Sequence, residues 1–189
     1  MPENAANGQG PVLLAIARQA IAERLGLTKP TASPDAPYLQ DQRACFVTLH
    51  KQGALRGCIG TLLAHRPLGE DVRANACAAA FSDPRFPPLT AEELPAVQIE
   101  VSVLSLPEAI YPNDEADLMA MLRPGVDGLI LEYGAHRSTF LPQVWQQLPT
   151  PEEFLAQLRL KAGLLGDFWS PELKLSHYTV EAFNEQESA

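Results

Sequence analysis

From residue 96 to residue 104 an apolar side chain falls at every second position: Val97, Ile99, Val101 and Val103 alternate with Gln98, Glu100 and Ser102. An extended chain points successive side chains to opposite faces, so this period of two predicts a strand with one core face and one polar face. Such a strand needs a sheet beside it and a layer over its apolar side, and the rest of the chain offers both. Leu13, Ile16, Ala17, Ala20, Ile21 and Leu25 recur at helical spacing between Pro11 and Gly26. They predict an amphipathic helix over 11–26, with proline at its first position and glycine at its stop. A second helix is expected over 67–80, packing Leu68, Val72 and the alanine-rich run Ala76–Ala80 inward.

Residues 43–50 are rich in β-formers, Gln52-Gly53 marks a turn, and 54–60 continues extended, which predicts a hairpin. Gly128–Tyr133 and Ser138–Leu141, on either side of Gly134-Ala135-His136-Arg137, predict another. A short helix is expected over 114–123. Thr150-Pro151-Glu152-Glu153 carries a threonine cap, a first-position proline and a glutamate that reaches back, so a helix should run from there to about 160–162. Thr90 with Glu93 is a further capping-box pattern, and a last strand is expected near Lys174–Val180. Helices and strands do not alternate as in a parallel sheet. The class is therefore α+β, with a mainly antiparallel sheet flanked by helices. Two hairpin-plus-helix stretches, around 43–80 and 128–162, suggest an internal duplication. Residues 1–10 are small and polar and are expected to be disordered, with 11–183 the folded domain and 184–189 an acidic tail.

The chain has 189 residues and a net charge of -9. That balance argues against phosphate backbones and anionic membrane surfaces as partners. Three widely spaced cysteines, Cys45, Cys58 and Cys77, make no CxxC pair, which favours a reducing compartment. The N-terminal residues lack a basic signal-peptide region, and no apolar run approaches the roughly 20 residues of a membrane span. Cytoplasmic residence is the expectation.

The segment with most chemistry is Leu55-Arg56-Gly57-Cys58-Ile59-Gly60. Strand alternation puts Arg56 and Cys58 on one side, and a guanidinium beside a thiol favours the thiolate. Gly57 and Gly60 are poor strand residues that suggest a bulge or a close approach to the backbone, whose amides can hold an anion. The competing reading makes Cys58 a small core residue and the glycines sheet geometry.

This segment belongs to a longer set of matches: Asp83-Pro84-Arg85-Phe86-Pro87-Pro88-Leu89, Ile99–Ser105 with Pro107-Glu108, Gly125–Leu131, Phe140–Val144, Phe154-Leu155 and Lys161–Leu164. Together they resemble the AMMECR domain family, called AmmeMemoRadiSam system protein A in microbes, over roughly residues 11–183. The resemblance implies an α+β domain with a larger and a smaller part and a cleft between them at Leu55–Gly60. It implies partnership with a Memo-type protein and a radical S-adenosylmethionine protein, whose iron–sulfur cluster this chain has no cysteine triad to hold. The family's activity is not settled, and no cofactor is assigned.

The candidate catalytic residues are Cys58, His65 as a base seven residues on, and Glu100 on the polar face of its strand. Arg56, Gly57, Gly60, Arg85 and Phe86 are candidate ligand-binding residues for a small polar or anionic molecule. Arg85 offers a bidentate fork and Phe86 a stacking or covering ring. For Glu100 the plainer alternative is a salt bridge to Arg56 or Arg85, and for the 82–88 loop it is a structural corner. Cys45, Cys58 and His65 match no recurrent zinc-ligand spacing, so no metal site is expected. The alternative to an enzyme or enzyme subunit is a scaffold module that docks a partner on the same face.

Overall fold

The computed structural model describes residues 6–185. They divide into two compact units, one reaching to Leu104 and resumed from Glu181, the other Ser105–Val180. Among the described residues there are four α-helices and two four-stranded sheets, so the fold is α+β. No helix among them is long and apolar enough to cross a membrane.

In the first unit, β1 (Cys45–Lys51) lies between β2 (Ala54–Gly60) and β3 (Val97–Leu104), antiparallel to both. The turn joining β1 to β2 has both central residues at positive φ, Gln52 at 52° and Gly53 at 76°. That geometry matches the twist of a two-residue hairpin. The helices α1 (Ala6–Arg24) and α2 (Leu68–Phe81) cover one side of the sheet. Leu13, Ile16 and Ile21 of α1, Val72 and Ala76 of α2, and Val47, Leu49, Val97, Ile99 and Val101 of the sheet form one buried cluster. Alanines dominate the inner face of α2, which lets that helix lie close on β2.

Helix α1 begins at Ala6 rather than at Pro11, so residues 6–10 are helical where disorder was expected; residues 1–5 lie outside the described residues. Gly10 packs against Phe183, which accounts for order this far toward the terminus. The last strand proves to be two, β7 (Lys174–Tyr178) and β8 (Val180–Asn184), and β8 joins the first sheet beside β3. The expected acidic tail is therefore partly built in. Asn184 ends β8, and Glu185 takes both a 2.7 Å hydrogen bond from Arg18 Nε and one from the Ile99 amide at 2.9 Å. The rest of the tail lies outside the described residues.

A buried carboxylate fastens this unit at one end. Asp71 on α2 accepts from the Cys45 amide at 2.9 Å, the Thr61 hydroxyl at 2.9 Å, Asn75 Nδ2 at 3.0 Å and Arg66 Nε at 2.6 Å. It ties the start of β1, the residue after β2 and α2 to one point. Burial, with the Asp71 charge next, pushes the neighbouring Cys45 thiol far up.

In the second unit the order is β4 (Glu108–Ile110), β7, β5 (Gly128–Tyr133), β6 (His136–Phe140). Its helices are α3 (Glu115–Met121) and α4 (Pro151–Lys161). The cap of α4 is the one expected, with Thr150 Oγ1 accepting from the Glu153 amide at 3.3 Å. Trp145 stacks on Phe154 with centroids 3.9 Å apart. The two units repeat one connectivity: a hairpin whose second strand lies at the sheet edge, then a helix, then a strand antiparallel to the hairpin's first. The duplication suggested by the sequence is thus visible in the topology. Strand β4 was missed, because its short acidic stretch reads as a solvated surface.

Candidate functional site

Leu55–Gly60 lies within β2, at the edge of the first sheet, and a bulge governs it. Leu49 pairs with Gly57 and His50 with Leu55, so Arg56 has no residue opposite it. A two-residue turn at Gln52-Gly53 with unbroken register would set Cys58 against Val47, on the core face. The extra residue shifts it by one. Cys58 instead pairs with Thr48, whose other neighbour is Glu100. Cys58, Thr48 and Glu100 thereby form a row across the polar face. The Thr48 hydroxyl donates to Cys58 Sγ at 3.2 Å, and Ser102 donates to Glu100 at 3.3 Å.

Arg56, the bulged residue, has its own partner. Its guanidinium is buried and donates to Glu93 from Nε at 3.2 Å and Nη2 at 3.0 Å. Lys51 donates to the same carboxylate at 2.9 Å. Lys51 shares its row with Val97 of the core-facing series, so Arg56 meets Glu93 at the end of the helix-covered side. The guanidinium expected beside the thiol thus has its ion pair with Glu93 and makes no hydrogen bond to Cys58. The guanidinium that reaches the Cys58 residue is that of Arg85, 3.4 Å from the Cys58 carbonyl. Asp83 accepts the Cys58 amide at 2.9 Å and holds Arg85 through Nε at 3.0 Å and Nη2 at 2.7 Å. Arg85, and then the Cys58 amide, hold the Asp83 carboxyl well below the usual range, and the pair raises Arg85 in turn. The Phe86 ring lies within cation–π reach of both guanidinium groups, 5.9 Å from Arg56 Cζ and 5.6 Å from Arg85 Cζ.

The other candidates divide. Glu100 stands in the Cys58 row, and the salt bridges considered for it go elsewhere: Arg56 to Glu93 and Arg85 to Asp83. His65 is exposed, and its Nδ1 lies 3.2 Å from the Leu63 carbonyl within its own loop. The structure does not bring it into hydrogen-bond contact with Cys58 or Glu100. The close approach that Gly57 permits is internal: a Cβ there would run into the backbone oxygen of Ala79 on α2. At Gly60 it would enter the Phe46 ring. The space over both glycines is filled by the protein itself rather than left for a ligand. Thr48, Asp83 and Glu93 were not among the candidate site residues. The capping-box spacing did single out Glu93, which accepts the Thr90 amide at 3.1 Å.

Glu93 gives a pH prediction. Hydrogen bonds from Arg56 and then Lys51 lower its pKa from the ordinary 4.5 to about 2. A depressed carboxylate contributes stability that is full above its unfolded value and is lost as pH falls through its folded value. Glu93→Gln is expected to cost about 2 kcal/mol near neutral pH, because it leaves Arg56 without a counter-charge while Glu93 is partly solvated. In urea melts the gap between wild type and variant should close between pH 4.5 and about 2. A gap unchanged across that window would contradict the pairing.

The AMMECR1 family profile matches residues 14–183. The chain belongs to the AMMECR1 family. It is 42% identical over 181 residues to a Methanothermobacter thermautotrophicus protein, covering 94% of each chain. It is 38% identical over 187 residues to Protein MJ0810 of Methanocaldococcus jannaschii, covering 95% of this chain and 91% of the other. The crystal structure of uncharacterized protein PH0010 from Pyrococcus horikoshii is similar with a TM-score of 0.77 at 38% identity, over 94% of this chain and 91% of that one. The AMMECR1 assignment agrees with the words on which the sequence resemblance rested.

Proposed function

We propose that this AMMECR1-family chain binds a small polar, anionic ligand at the corner made by Leu55–Gly60 and the loop from Asp83 to Phe86. It does so as an enzyme or an enzyme subunit, with Cys58 as its reactive group. The observation that carries the reading is the bulge at Arg56, which turns Cys58 from the core side to the polar side and sets it beside Thr48 and Glu100. A cysteine needed only for packing gains nothing from that turn. In this reading Thr48 orients the thiol, Glu100 is the nearest carboxylate of the row for proton movement, and Arg85 is the exposed cation. His65 takes part only if its loop rearranges. A Memo-type protein and a radical S-adenosylmethionine protein are the proposed partners, and redox chemistry at a cluster would belong to the latter.

The test is the order in which the three thiols react with iodoacetamide at neutral pH, read by peptide mass spectrometry. Cys58 should label first. Cys45 is buried, and burial raises both it and Cys77. Labelling of Cys77 ahead of Cys58 would remove Cys58 as the reactive group.

Exposed Leu55 near the start of β2, and exposed Leu62 and Leu63 just beyond its end, favour a second reading, a docking face for a partner protein. Then Cys58→Ser would be harmless to the complex, while Arg85→Ala or Phe86→Ala would break it in a pull-down with the Memo-type protein.

A further inference from the structure

One nitrogen in this corner has no partner. Arg56 is 8% exposed, and its Nη1 is fully buried with no hydrogen-bond acceptor among the described residues. Its other two nitrogens are spent on Glu93. Glu93 is also claimed by Lys51, so one carboxylate answers two cations and positive charge is left over where water is scarce. Asp83 does not relieve this, because its oxygens serve Arg85 and the Cys58 amide. The aromatic group beside this charge is the half-buried Phe86 ring, 5.9 Å from Arg56 Cζ, whose face attracts a cation but accepts no true hydrogen bond. Buried polar atoms are nearly always satisfied, so an orphan charged donor beside an aromatic ring points to a missing acceptor.

We infer that Arg56 Nη1 is the docking point for the oxyanion of a ligand, a carboxylate or a phosphate, and that Phe86 is the cover that moves aside to admit it. This rests on the reading that the corner binds a small ligand, and it names the ligand's charged group and the atom that holds it. The planar fork of arginine suits either oxyanion, with Nη2 held by Glu93 fixing its plane. Arg85, side by side with the same ring and largely exposed, supplies the second contact. Binding neutralises the surplus that Glu93 cannot.

The probes are inorganic phosphate and sodium acetate, each against sodium chloride at equal ionic strength, with the melting temperature of the full chain as readout. A ligand that binds only the folded chain raises that temperature with concentration. Wild type is expected to respond to phosphate, to acetate or to both beyond the chloride control, and the responding arm distinguishes the two classes. Arg56→Lys keeps the charge toward Glu93 and loses the fork, so the apparent affinity should fall at least fivefold. Phe86→Ala removes the cover and should bind at least as tightly as wild type. No response in wild type, an undiminished response in Arg56→Lys, or weaker binding in Phe86→Ala would each overturn the inference. Should Arg56→Lys fail to fold, the Phe86→Ala comparison decides alone. Thiol labelling in the order given above would be unaffected by such a failure, so a failure of this inference is distinguishable from a failure of the Cys58 reading on which the proposed function rests.

Discussion

Gly57→Ala is expected to cost about 3 kcal/mol or more, at the top of the range for overpacking. The added methyl meets the carbonyl oxygen of Ala79, which is backbone inside a helix and cannot rotate away. Relief requires α2 to move off the sheet, and Val72 and Ala76 of that helix are packed into the core with Val47 and Leu49. Gly60→Ala makes the instructive comparison. Its methyl would meet the Phe46 ring, a side chain that can be trimmed. Pairing Gly60→Ala with Phe46→Leu should recover part of the loss, whereas no single side-chain change should rescue Gly57→Ala. Urea midpoints of the four proteins give the comparison. A Gly57→Ala protein within 1 kcal/mol of wild type would mean that α2 does not lie this close on β2, on the order of the surface-substitution range.

Asp71→Ala should be comparably damaging, about 3–5 kcal/mol. The buried carboxylate accepts four hydrogen bonds, one of them from Arg66. Without it the Cys45 amide loses this acceptor, the Arg66 charge loses its partner, and Asn75 alone is left to link α2 to the Cys45 carbonyl and the Thr61 hydroxyl. Asp71→Asn retains one acceptor oxygen and should lose less. Hydrogen exchange at the Cys45 amide is the local readout, and it should accelerate in Asp71→Ala well beyond amides in the second unit. Exchange there at the wild-type rate would show that the carboxylate is not the anchor.

Period and punctuation made most of this fold legible. The alternation over 96–104, the β-former run ended by Gln52-Gly53 and the Thr150 cap each depend on neighbours in sequence, and each element formed where expected. Long-range contacts were not legible. That residues 6–10 continue α1 depends on Phe183, a residue from the far end of the chain. Strand β4 exists because β7 pairs with it. The site shows the same division. Gly57 suggested a bulge or a close approach, but only the cross-strand register reveals what the bulge does: it moves Cys58 to the polar row and puts Thr48 beside the sulfur. Thr48 was invisible as a site residue because its meaning comes from two partners on two other strands. Arg85, expected either as a ligand clamp or as part of a structural corner, is held by its own loop through Asp83, a contact the sequence did not single out.

The direct measurement of whether that corner is built around Cys58 is the rate constant for Cys58 alkylation in wild type and in Thr48→Val. Valine matches the shape of threonine on a strand and removes the hydroxyl that donates to the sulfur. A hydrogen bond to an ionised partner is strong enough to change the rate by about tenfold, and a fall of that order in Thr48→Val, restored by Thr48→Ser, is the predicted result. Equal rates in Thr48→Val and wild type would contradict it, leaving Cys58 as a residue that merely lies on a polar face.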